Sequence, residues 1–269
     1  MGHLDFGGTG MWRRVRAATL GSLLLLAGGR VSAAGDPAPG YESALRAAMT
    51  RVNEAERKQR VDYYEYLKGK GEAEPTLEEH LARFASFARF GRPASQDAIE
   101  ALRPLSRPGL PEDLVRFYRE SGSFEGGHYL KNMVVYAPET LVAKSKRDPE
   151  RRWDHAASMG LVDMIRWSWA NDRFEFDPKS REGLSEDEVI ALNRDYSIVG
   201  WYVVDEGEGY EYLYFDGQGR FGTLYYHQDA FDELYREHLK PMLGGRPAPD
   251  SFDAAMLQLL KGAEAPDFE

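Results

Sequence analysis

Cysteine is absent from the 269 residues. That excludes disulfide bonds, thiol nucleophiles, thiolate metal sites and lipidation at a cysteine in one step. It leaves the cellular compartment open. Positive charge is also short: 34 Lys and Arg stand against 44 Asp and Glu, for a formal net charge of −10. A nucleic-acid binder needs clustered Lys and Arg against phosphates, so this balance argues against that class. It suits solubility, or the steering of a basic partner. Histidine is thin as well: His3, His80, His128, His155, His227 and His238 form no HExxH or other metal-ligand spacing. There is no GxSxG nucleophile elbow and no GxxxxGK(S/T) phosphate loop. Residues 205–209, DEGEG, alternate carboxylates in the manner of a calcium loop. They lack the length and the terminal bidentate Glu of an EF-hand. No catalytic set, metal or other cofactor is expected.

Long apolar runs are missing too. The longest, at 17–28, is too short for a comfortable membrane span. Arg13, Arg14 and Arg16 precede it and Ser32-Ala33-Ala34 follow. A basic segment, a short apolar segment and small residues are the parts of a secretory signal peptide. Residues 1–34 are therefore read as a leader cleaved near Ala33 or Ala34, giving an exported chain with no stable membrane span. An uncleaved anchor, or a start at Met11 and a cytoplasmic chain, is the other reading of the same pattern. The leader carries four arginines against Asp5, a net of +3, so removing it from a chain of −10 leaves −13.

What is present reads as α+β: a small antiparallel or mixed sheet flanked by helices, with an α-helical N-terminal extension. Residues 35–40, GDPAPG, form a linker. Residues 41–68 read as a charged helix whose Tyr63, Tyr64 and Tyr66 are assigned to packing. Thr76 caps a second helix, and Ser95 starts a third. The helical extension covers 35–92, an α+β domain 93–262, and a tail 263–269. Asn132 to Tyr136 reads as a strand, and Ala137-Pro138-Glu139 as the start of a helical turn. The basic run 144–152 reads as a solvated loop. Trp153, Trp167 and Trp169 mark a dense aromatic stretch, with alternation in 165–169 suggesting a strand. Residues 171–184 read as an insertion. Ser185 and Glu188 make a capping box. Residues 198–204 are strongly β-type, and 210–215 pairs with 221–226 across the turn Asp216-Gly217-Gln218-Gly219. Residues 230–239 read as helix, 241–249 as a Pro/Gly loop, and 251–260 as a closing amphipathic helix.

The chain is organised around 110–127, LPEDLVRFYRESGSFEGG. Pro111 suits a first helical position, where its missing N–H is no loss. Glu112 and Asp113 set negative charge on the helix N-terminus. Leu114, Phe117 and Tyr118 share one face. Gly122 permits the turn that ends the helix, and Gly126 and Gly127 a second one before the strand. Leu110, Pro111, Phe117, Tyr118, Gly126 and Gly127 are the residues of this motif. Together they resemble the signature of the SUKH superfamily: an LP with an acidic residue, an aromatic-containing helix and a glycine pair before a strand. The resemblance runs from about Ser95 to Lys261, through 203–209 (VVDEGEG), the aromatic strand and the closing helix. It implies a SUKH-like α+β fold and a non-enzymatic binding module.

Many bacterial members of that superfamily neutralise a cognate toxin by direct binding, so the resemblance implies an immunity protein with a toxin partner. With an exported leader, that toxin would act on the envelope and the protein would be periplasmic. Asp205, Glu206, Glu208 and Glu211, four carboxylates beside an aromatic strand, are the candidate partner-binding residues, since charge across an interface speeds association and excludes wrong partners. A solvated turn is the plainer reading of the same residues. Two other functions stay open: a periplasmic scaffold or regulatory binder, and a hydrolase built on His227, Asp229 and His238.

Overall fold

Thirty residues of unbroken helix, α1 (Tyr41–Lys70), begin the described part of the chain. The computed structural model describes residues 40–106, 108–145, 159–169, 184–204, 207–227, 235–245 and 247–264. Residues 1–39 with the expected leader, residues 146–158, most of the expected insertion and the last five residues lie outside it. Leu45, Ala48 and Val52 recur at helical spacing along α1 and are buried. Gly71, in the left-handed conformation, ends the helix by donating to Leu67 O and Lys68 O. Helix α2 (Leu77–Phe84) starts on a reciprocal capping box between Thr76 and Glu79. Helices α3 (Gln96–Leu102) and α4 (Glu112–Ser121) follow.

The sheet has six strands in chain order: β1 (Arg89–Phe90), β2 (Phe124–Glu125), β3 (Val134–Val135), β4 (Tyr196–Val204), β5 (Gly209–Asp216) and β6 (Phe221–His227). Every neighbouring pair is antiparallel. The fold is thus α+β with an antiparallel sheet. Between β3 and β4 lie α5 (Pro138–Ser145), α6 (Leu161–Trp169) and α7 (Glu186–Asp195). A π-helix (Tyr235–Leu239) runs into α8 (Lys240–Leu243), and α9 (Phe252–Ala263) closes the domain.

Four elements meet at Phe252. Its ring lies 5.1 Å from Tyr41 of α1, 5.8 Å from Phe117 of α4 and 4.9 Å from Phe221 of β6. The long N-terminal helix therefore shares its core with the sheet. It also covers the chain around edge strand β1. The Asn53 side chain donates to Ala88 O at 2.8 Å and accepts from Ala88 N at 2.7 Å, and Glu56 accepts from Ser86 N at 2.8 Å. An unpaired sheet edge is a template for unwanted pairing, and here a helix occupies it.

Several expectations are corrected. Residues 165–169 belong to helix α6, not a strand: buried Leu161, Val162, Met164 and Ile165 follow helical spacing. The stretch 35–92 is not wholly helical, since it contains β1, too short to show alternation. The loop expected over 241–249 begins inside α8, where Pro241 occupies the first turn and needs no N–H partner. Pro111 is the N-cap of α4 rather than its first helical residue. Of the three tyrosines assigned to packing, only Tyr64 is buried; Tyr63 and Tyr66 are 45% and 55% exposed. Tyr63 reaches only the edge of α2, with its ring 5.9 Å from His80, and Tyr66 stacks outside it at 6.2 Å.

Candidate partner-binding surface

The motif helix α4 is fixed by what its neighbours exclude. Leu114, Val115, Phe117 and Tyr118 are fully buried along one side. Gly122 ends the helix at a φ of 68°, donating to Phe117 O and Tyr118 O. A Cβ there would stand 1.7 Å from Arg92 O. Gly127 has a φ of 65°, and its Cβ would fall 2.1 Å from Ser86 O. The glycines permit backbone to pass backbone, which carries α4 against the strand layer.

At the other end of α4 the motif opens onto solvent. Pro111 offers no side-chain cap, so the first turn is served by the charges of Glu112 and Asp113. Asp113 also holds Arg116 at 2.8 Å. Residues 108–113 face the hairpin turn 216–219 across an open cleft of about 330 Å³. The turn is tied down by Asp216. Its Oδ1 accepts from Gln218 N and Arg220 N at 2.8 and 3.1 Å, and its Oδ2 from Arg220 Nη2 at 2.8 Å and Ala248 N at 3.2 Å. Burial alone would raise the Asp216 pKa, but the Arg220 guanidinium and these backbone N–H groups hold it below the usual carboxylate value. The carboxylates that face the cleft mouth are therefore Glu112 and Asp113, while Asp216 is structural.

The four carboxylates singled out from sequence are not placed alike. Asp205 and Glu206 lie outside the described residues. Glu208 is exposed, with Oε2 3.5 Å from His227 Nε2. Glu211 sits opposite Tyr202 and Tyr225 in the ladder, on the sheet face that α9 covers. Burial raises its pKa, and a hydrogen bond with Thr223 opposes that rise. Thr223 in turn accepts from Gln258 of α9 at 2.9 Å. Once the strand begins at Gly209, alternation sends Glu211 onto the sheet face rather than out with the turn. Glu208, just before β5, and the pair Glu112 and Asp113, beside the turn that follows β5, therefore stand at opposite ends of that strand and form two separate acidic sites.

Of the alternative acid–base set, His227 meets Glu208, His238 is half-buried in the π-helix, and Asp229 lies outside the described residues. Among the described residues no group of three His, Asp and Glu side chains is placed to hold a metal ion, and no helix is long and apolar enough to cross a membrane. Sequence reasoning treated Glu112 and Asp113 only as helix-start charges and missed Asp216 as the turn's anchor. The signals were there: two adjacent carboxylates at an uncapped helix start, and Asp followed by Arg four residues on across a glycine turn. Comparison with family models, with curated proteins and with solved structures gives no match.

Proposed function

We propose that this chain is a non-enzymatic protein-binding module: an immunity protein that neutralises a cognate toxin by stoichiometric contact. The observation that carries the reading is the motif segment 110–127 itself. Its helix is buried along one side, its glycines admit the backbone crossings, and its uncapped acidic start stands at the mouth of an open cleft beside a tied-down hairpin turn. A rigid, shallow, acid-rimmed surface suits capture of a protein with basic side chains. Charge complementarity there raises the association rate and rejects acidic competitors. The net charge of −10 adds long-range attraction for such a partner. Blockade of this kind transfers no group and needs no cofactor. An exported copy meets toxins that act on the envelope, so the partner belongs to that class.

Deleting the gene tests this directly. The reading predicts that the deleted strain becomes sensitive to a toxin made by its own kind and that the wild-type gene restores protection. A strain with no added sensitivity to any neighbouring toxin would sink it.

A further inference from the structure

The sheet face under α9 holds a carboxylate that the proposed function does not use. Glu211 is half-buried there, with Tyr202 of β4 and Tyr225 of β6 on either side of it in the ladder. Its side chain is held by the Thr223 hydroxyl, and Thr223 Oγ1 accepts from Gln258 Nε2 of α9 at 2.9 Å. The relay therefore runs from β5 through β6 into the closing helix. That helix comes close here: a Cβ on Gly262 would stand 2.1 Å from the Tyr202 hydroxyl. Among the described residues no cation pairs with Glu211. The charged groups around it are engaged elsewhere. Lys131 donates to Gly262 O at 2.8 Å and lies 5.6 Å from the Tyr202 ring. His227, next after Tyr225 on the same face of β6, meets Glu208 at 3.5 Å. On α9, Lys261 is exposed and Glu264 reaches Arg51 of α1 at 2.6 Å.

A carboxyl group in that position favours its protonated form. Ionised, it has exchanged much of its water for one hydroxyl; protonated, it buries no charge and keeps the same hydroxyl. We propose that Glu211 is a proton-operated fastener: protonation on the sheet face tightens the hold of β5 and β6 on α9, so the closing helix docks more firmly in mild acid than at neutral pH. Burial raises the Glu211 pKa above its ordinary 4.5 against the opposing Thr223 hydrogen bond, which agrees in direction. The folded chain then takes up this proton before the unfolded chain does. Stability from Glu211 is therefore complete below 4.5 and is lost as pH rises through the folded value. Asp216 has the opposite sign, because its folded pKa is depressed. The fastener thus acts in mild acid, before the Asp216 anchor is lost. This inference does not depend on the immunity reading.

Carboxyl-carbon NMR titration of the wild-type full chain reads the proton directly, and Glu211 should titrate above its ordinary 4.5. Hydrogen exchange at pH 7 and pH 5, corrected for intrinsic exchange rates, reads the helix. Between those two conditions the protection of α9 amides in the wild type should rise by about threefold relative to Glu211→Gln, whose side chain is neutral at both. The comparison cancels the titration of histidines, which both chains share. Thr223→Val removes the hydroxyl that favours the charged form and should enlarge the rise. Thermal melts by circular dichroism verify that each variant stays folded. A Glu211 signal titrating at or below 4.5, or α9 protection that changes with pH alike in wild type and Glu211→Gln, would overturn the proposal.

Discussion

Tyr118 carries a hydroxyl that is fully buried and, among the described residues, has no hydrogen-bond partner. Burying an unpaired polar group is unfavourable, and removing it leaves an apolar ring of nearly the same shape. Tyr118→Phe should therefore leave stability unchanged or raise it by up to about 1 kcal/mol in a urea melt. Asp216 is the opposite case. Its carboxylate is almost entirely buried but has both oxygens satisfied, and Asp216→Asn should cost about 1.5–3 kcal/mol at pH 7. The folded pKa is depressed, so its contribution is complete above the ordinary carboxylate range and is lost as pH falls through the folded value. The stability gap between wild type and Asp216→Asn should close below about pH 4, and melts at stepped pH measure that. The tyrosines act at the other end of the scale. Burial, slightly offset by the Trp201 hydrogen bond, pushes Tyr136 up to about 12 from 10.0, and burial followed by the nearby Glu211 charge pushes Tyr202 to about 12. The unfolded chain loses these protons first, so stability is intact below pH 10 and falls as pH rises from 10 towards 12. Absorbance titration of the phenolate should show part of the tyrosine set ionising only as the protein unfolds.

Helix α1 and helix α9 meet β6 around the Phe252 ring, and α1 is tied to 86–88 through Asn53 and Glu56. Phe252→Ala should cost about 3–5 kcal/mol and loosen α1, α4 and β6 together. Hydrogen exchange would show protection falling in all three at once. The same elements show how far a sequence reaches. The cap at Thr76, the capping box at Ser185 and the hairpin of 210–215 with 221–226 were legible because each is written in neighbouring residues. Helix α6 was not: the alternation of 165–169 imitates a strand, while its helical signal lies in the residues before. The exposure of Tyr63 and Tyr66 was hidden too, since α2 has only eight residues and meets Tyr63 at one edge alone. The candidate surface was half legible. The motif order pointed to α4, but splitting Glu208 from Glu211 needed the strand start at Gly209. The pairing of the α4 start with the hairpin turn joins residues roughly a hundred positions apart, which no local pattern records.

The chain carries a formal net charge of −10, and on the proposed reading that charge steers a basic partner. Association with a basic protein should slow as ionic strength rises, while the dissociation rate changes less. Glu112→Lys should lower the association rate severalfold while costing at most about 1 kcal/mol of stability at the start of α4, measured by surface plasmon resonance once a partner is in hand and by a urea melt. The partner itself is the most direct test of the account. A C-terminally tagged full chain, purified from its own cells and analysed by mass spectrometry, should bring down one stoichiometric polypeptide with a toxin domain. Recovery of only envelope housekeeping proteins, or of nothing, would contradict the immunity reading.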